Sequence, residues 1–204
     1  MVFESNHIYH IYNQGNNHQK IFFNRQNYLF FLKKIREHIS PYADVLAWCL
    51  MPNHFHLMVF VKTLEVKIDG SGDLNKSIKT RTLNNSIGLL LRAYTRAINN
   101  QEKRSGSIYR RATKTEWITK IDGITNAFLN TTEGGSLVDQ ISEKEYFQSC
   151  FNYIHNNPVK AGLAKNPGDW EFSSYLDYFG LRNGTLVNPK RANELGLRWS
   201  SEIF

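Results

Sequence analysis

The sequence predicts an α+β fold, a ferredoxin-like sandwich of β-α-β-β-α-β order with an antiparallel sheet and an added C-terminal helix and tail. Three observations lead there. Segments of period two alternate with segments of period 3.6 in that order along the chain. A helix start signal follows the alternating unit, at Ser142 and Glu145. The length of 204 residues suits one domain with a sizeable core.

Residues 7–12 (HIYHIY) are rich in β-branched and aromatic side chains and end at the turn-like Asn13-Gln14-Gly15-Asn16-Asn17. From 25 to 39, Tyr28, Leu29, Leu32, Ile35 and Ile39 recur at helical spacing, and Pro41 closes the run. Residues 45–50 and 54–61 are two strand-like runs around Met51-Pro52-Asn53, which predicts a hairpin or tight connection. Asp69-Gly70-Ser71-Gly72-Asp73 predicts a loop. Residues 87–98 (IGLLLRAYTRAI) predict an amphipathic helix with Asn85 or Ser86 as its cap. Residues 107–118 predict a strand interrupted by basic residues, and 131–136 a further loop. Ser142 and Glu145 form a capping box, the serine bonding forward and the glutamate back, so a helix begins there. The tail from Trp170 mixes aromatics with turn residues and yields no regular element. Residues 1–165 are expected to form one domain that includes the last long helix, with 166–204 an extension packed on it.

With 41% hydrophobic and 21% charged residues, the composition excludes a fibrous or largely disordered chain. No run approaches the roughly 18 apolar residues of a membrane span. The opening MVFESNHIYH lacks the layout of a signal peptide, so a cytoplasmic protein without a membrane partner is expected. Cys49 and Cys150 form no CxxC pair and no zinc spacing, and read as buried thiols. The charge is uneven. Residues 76–120 hold eleven Lys or Arg against Glu102 and Glu116, a local charge of +9 in a chain of +7. A basic block in a chain otherwise near neutral suits a polyanion, most commonly a phosphate backbone, although a solvated basic face gives the same composition.

On a strand, His54-Phe55-His56 points both imidazoles to one face and Phe55 to the other. Two such rings are half a metal site, weak as a motif alone but set here in an apolar run. In the helix after the capping box, Phe147, Phe151 and Ile154 form a core stripe. Tyr146, Cys150, Tyr153 and Asn157 run down the adjacent flank, so Tyr153 and Asn157 can present a phenol and an amide to one spot. That alignment requires the helix to persist to its last turn although Pro158 disfavours helical dihedrals at Asn157. A tyrosine on a flank otherwise packs with its hydroxyl in water. Residues 70–77 resemble a phosphate-binding loop, but Asn75 stands where the second glycine is required, which argues against nucleotide binding.

Together these residues resemble the single-tyrosine HUH transposases of the smallest insertion sequences, and within them the REP-associated tyrosine transposases. The resemblance runs along most of the chain. It includes residues 11–23 as first strand and turn, Met51-Pro52-Asn53-His54-Phe55-His56, residues 106–111, Tyr153-Ile154-His155-Asn156-Asn157-Pro158-Val159-Lys160, and Trp170-Glu171-Phe172-Ser173-Ser174-Tyr175. It departs from the family in an insertion at 62–83 and at Ala112-Thr113, where an aromatic, basic pair is expected.

The resemblance implies a metal-dependent endonuclease and strand transferase acting on single-stranded DNA with hairpin-forming repeats. It implies Mg²⁺ or Mn²⁺ held by His54, His56 and the Asn157 amide oxygen, with Tyr153 as a nucleophile that forms a 5′-phosphotyrosine and frees a 3′-hydroxyl. Some family members form homodimers and others act alone, so both states stay open. Within the basic block, Arg92 and Arg96 share a helix face and, with Arg110, Arg111 and Lys114, are the expected DNA contacts. The alternative is a non-catalytic, domesticated protein that binds repeat DNA. An RNA-recognition module is disfavoured because residues 54–61 lack its stacking aromatic motif.

Overall fold

A computed structural model of the chain describes residues 1–68, 79–119 and 143–199. Among these residues the elements run β1 (Ile8–Gln14), α1 (Arg25–His38), β2 (Ala43–Met51), β3 (His54–Val61), β4 (Glu65–Ile68), β5 (Lys79–Thr82), α2 (Leu83–Gln101), β6 (Lys114–Trp117), α3 (Glu143–Lys160), α4 (Tyr175–Tyr178) and α5 (Pro189–Glu194). Four strands form one antiparallel sheet in the order β2-β3-β1-β6, and β4 pairs with β5 as a separate hairpin within the insertion. The fold is therefore a mixed one, an antiparallel four-stranded sheet with five helices among the described residues.

β1 runs two residues past its expected end, because Asn13 and Gln14 pair with Phe55 and His54. The turn thus begins at Gly15, where a Cβ would lie 2.2 Å from the Gln19 carbonyl oxygen. No larger residue fits that backbone approach. β2 and β3 form the expected hairpin, with Met51 opposite His54 and only Pro52 and Asn53 between them.

Two boundaries differ from expectation. α2 starts four residues before the expected helix and is capped by Thr82, whose Oγ1 accepts from the Asn85 amide at 3.2 Å. Asn85 and Ser86 lie inside the helix. The strand expected over 107–118 shrinks to β6. Its first half bonds to the end of β1 and the turn after it instead: the Ile108 carbonyl accepts from the Asn16 amide at 3.0 Å, and the Arg110 amide donates to the Gln14 carbonyl at 2.8 Å. The Asn13 side chain donates to the Arg110 carbonyl and to Thr113, which satisfies the backbone where a ladder would otherwise form.

The sheet separates two environments. Phe55 faces α1, its ring 5.0 Å from that of Phe31. Tyr94 of α2 joins the same aromatic cluster against Phe22 and Phe31. His54 and His56, of opposite parity, face α3, which packs on β2 and β3 and buries Cys150, Phe151 and Ile154. α3 continues through Pro158 to Lys160.

The tail has a definite task. The Leu50 amide donates to the Phe172 carbonyl and the Ser174 amide to the Trp48 carbonyl, both at 2.9 Å. Residues 170–174 thereby cover the β2 edge, which would otherwise be open to strand pairing. Phe172 stacks on Tyr28 of α1 at 3.7 Å. On α3, His155 Nε2 lies 2.7 Å from Ser174 Oγ, so the same segment anchors the helix. The loops expected at 69–73 and 131–136, the loop-like segment 70–77 and the cap residue Ser142 lie outside the described residues.

Candidate functional site

Period-two alternation on β3 and one turn of α3 converge. His54 Nε2 lies 3.1 Å from Asn157 Oδ1, and His56 Nε2 lies 3.3 Å from Asn157 Nδ2. Both imidazoles therefore aim the same ring atom at one amide. His56 and Asn157 are buried and His54 is half-buried. Tyr153, one turn before Asn157, places its ring centroid 5.4 Å from that of His56 and hydrogen-bonds with Asn157. The structure thus brings together the four residues singled out in sequence, because α3 stays helical across Pro158.

Burial sets the protonation states. Desolvation lowers the pKa of His54 despite its bond to Asn157, and lowers that of His56 further with help from neighbouring His10 and His54. Both rings are held neutral, the form a metal requires. For Tyr153, burial raises the phenol pKa and the bond with Asn157 opposes that rise. The ammonium of Lys160 sits 5.4 Å from the Tyr153 ring centroid.

The residues present suit a divalent cation. No three His, Cys, Asp or Glu side chains meet as a metal site among the described residues; the group beside the two imidazoles is the Asn157 amide. The amide oxygen faces His54 and the amide nitrogen faces His56; two imidazole nitrogens and that oxygen would leave coordination positions of a divalent cation open to water or phosphate. Each ring is also held from behind. Asn53 Oδ1 lies 2.6 Å from His54 Nδ1, and His10 Nε2 lies 2.8 Å from His56 Nδ1. Outer partners of this kind fix ligand tautomer and orientation.

His54, His56 and Tyr153 open into a cleft of about 230 Å³ whose lining also includes Tyr12, Gln14, Arg110 and Lys114. Beside it a groove of about 740 Å³ runs between α2 and residues 104–113, lined by Arg92, Arg96, Arg104, Arg110 and Arg111. The expected DNA contacts therefore divide: Lys114 belongs to the cleft, Arg92, Arg96 and Arg111 to the groove, and Arg110 to both. Lys76 and Lys120 of the basic block lie outside the described residues.

His10, Tyr12, Glu116 and Arg104 were not singled out by sequence. His10 and Tyr12 share a strand face by the same alternation that paired the β3 histidines, so that signal was present. Glu116 becomes relevant only through its register opposite His10.

No family model and no curated protein matches this chain. A solved structure of a REP-associated tyrosine transposase bound to a REP hairpin is similar to it, at 14% identity and a TM-score of 0.54, covering 92% of each chain. No helix among the described residues is long and apolar enough to cross a membrane. At that identity the likeness is one of fold: over 92% of its length, this chain takes the fold of that transposase.

Proposed function

We propose that this chain is a metal-dependent single-stranded DNA endonuclease and strand transferase that recognises hairpin-forming repeats, of the REP-associated tyrosine transposase type. The observation that carries this reading is the convergence of His54 Nε2 and His56 Nε2 on the Asn157 amide, 3.1 and 3.3 Å away, one turn from Tyr153. The fold neighbour's hairpin ligand and the arginine groove beside the cleft support the DNA partner. The strand order β2-β3-β1-β6 is read as ferredoxin-like, with 1–165 as the nuclease domain and 166–204 as its extension.

A Mg²⁺ or Mn²⁺ held by His54, His56 and Asn157 would supply Lewis-acid polarisation of the scissile phosphate. Tyr153 Oη forms a bond to phosphorus as the bond from phosphorus to the 3′-oxygen breaks. The phenol gives up its proton, and the departing 3′-oxygen takes one to become a hydroxyl. One phosphate ester replaces another, so the 5′-phosphotyrosine retains the bond energy for rejoining and no nucleotide cofactor is needed. Burial keeps the Tyr153 proton on, so the phenolate depends on positive neighbours: the Lys160 ammonium lies 5.4 Å from its ring centroid, and Arg110 and Lys114 line the same cleft. The groove arginines hold the flanking backbone.

The test is incubation of the protein with repeat-containing hairpin DNA and Mn²⁺. A covalent adduct at Tyr153 with a free 3′-hydroxyl is expected. Tight hairpin binding without any adduct, in either metal, supports the non-catalytic repeat-DNA-binding alternative.

A further inference from the structure

Behind His56 lie a buried base and a buried acid that the proposed chemistry does not use. His10 on β1 stands opposite Glu116 on β6. His10 is 1% exposed and Glu116 9%. His10 Nε2 lies 2.8 Å from His56 Nδ1, and His10 Nδ1 lies 3.8 Å from Glu116 Oε2. The other carboxylate oxygen, Oε1, accepts from the Tyr12 hydroxyl at 2.7 Å. The His10 ring stacks on Tyr12 at 4.7 Å and lies edge to edge and nearly parallel with His56, centroids 5.0 Å apart, which fixes its orientation.

Proton accounting along this chain has two solutions, because the 2.8 Å contact between the rings accommodates a single proton. If His10 Nε2 carries it, neutral His56 must carry its own proton on Nε2 and point an N–H into the site. The bare Nδ1 of neutral His10 then faces a carboxylate oxygen, which is repulsive. If His56 Nδ1 carries it, His56 Nε2 is a lone pair aimed at Asn157, and His10 turns its Nδ1–H toward Glu116. The second arrangement also agrees with Asn157 Nδ2, a donor, lying 3.3 Å from His56 Nε2.

We infer that Glu116 and His10 form a buried positioning pair that holds His56 as the Nδ1–H tautomer and so presents its Nε2 lone pair to the site. The benefit of that lone pair, a bound divalent cation, rests on the proposed function, but the tautomer itself does not. His54 is placed differently: Asn53 Oδ1 approaches its Nδ1 at 2.6 Å from the adjoining turn, and Asn157 Oδ1 faces its Nε2 at 3.1 Å, so an oxygen stands at each ring nitrogen. The two ligands are thus oriented by unrelated parts of the fold, one by a loop amide and the other by a relay across three strands.

The experiment is ¹⁵N NMR of the histidine-labelled full chain without metal, followed by titration with Mn²⁺ alone. In the parent protein His56 should read as protonated at Nδ1 and bare at Nε2. Glu116→Gln replaces the carboxylate oxygen facing His10 Nδ1 at 3.8 Å with an amide that can present an N–H there, so the Nε2–H form of His56 should grow. Its Mn²⁺ affinity should fall about 10- to 100-fold, the usual effect of losing an outer partner, with metal-free hairpin affinity unchanged. A parent His56 protonated at Nε2 overturns the pair whatever any variant does. So does a Glu116→Gln protein with parental tautomer and parental Mn²⁺ affinity. A parent and variant that behave as expected while no DNA adduct forms uphold the pair and defeat the enzymatic reading.

Discussion

Asn157 Oδ1 lies 3.1 Å from His54 Nε2 across 103 residues of sequence, and the same amide reaches His56 through its nitrogen. One side chain therefore spans both imidazoles. Its position depends on α3 staying helical through Pro158, and α3 is in turn fixed by His155 against Ser174 of the edge segment.

The two histidines should separate in stability while agreeing in activity. His54→Ala and His56→Ala should each abolish DNA adduct formation with Mg²⁺ or Mn²⁺. His54 is half-buried, so its loss should cost little stability. His56→Ala empties a buried position and removes the partner of His10 Nε2, at a cost of about 1–3 kcal/mol by thermal or urea unfolding. A His56→Ala protein that nicks DNA at the parental rate means the metal ligands are wrongly assigned. Because burial lowers both histidine pKa values, loss of activity through their protonation should set in below the ordinary value of 6.5.

Tyr153→Phe should keep hairpin binding and lose both nicking and adduct. Tyr94 and Tyr178 are removed as competitors, since their hydroxyls donate to the Ile21 and Leu46 carbonyls inside the core. Tyr146 is buried, and Tyr175 belongs to the short helix α4. The structural competitor is Tyr12, which lines the same cleft. Its hydroxyl donates to Glu116, and burial together with that carboxylate pushes its pKa up, so it should stay a phenol. Mass spectrometry of the nuclease-trimmed adduct should find the nucleotide on Tyr153, and a nucleotide on Tyr12 would exchange their roles.

Neutralising groove arginines should act on affinity without sequence preference. Each of Arg92, Arg96, Arg104 and Arg111 changed to Gln should flatten the salt dependence of hairpin binding by about one unit or less. Arg110 lines groove and cleft together, so Arg110→Gln should reduce the nicking rate as well. Hairpin binding indifferent to salt removes the groove from the interface.

Acid should destabilise the fold through His155. Burial lowers its pKa to about 3, against an ordinary value of 6.5. The unfolded chain thus binds the proton more readily than the folded one. Stability is undiminished above pH 6.5 and falls between there and about pH 3, by about 1.4 kcal/mol per pH unit from this one group. His155→Leu should be less stable at neutral pH, having lost the bond to Ser174, yet show a shallower decline across that window in urea unfolding. A parallel decline in both proteins refutes the assignment.

Alternation and helical period were enough, in sequence alone, to place His54 and His56 on one strand face and Tyr153 and Asn157 one turn apart, because both are properties of a single chain segment. The same local logic located the hairpin at Pro52 and Asn53 and the three long helices. It misjudged the start of α2 and the extent of β6. Thr82 satisfies the Asn85 amide at the start of α2, and the first half of the expected strand bonds to the end of β1 and the turn after it. The tail yielded no element in sequence because residues 170–174 gain their form only from β2, whose edge they complete. Tertiary structure alone decided that two strand histidines and a helix amide share a point. It also placed His10 and Glu116 behind one of those histidines and divided the expected DNA contacts between cleft and groove. Such relations depend on strand register and on which sheet face a helix covers, and both are set by packing between segments far apart in the chain.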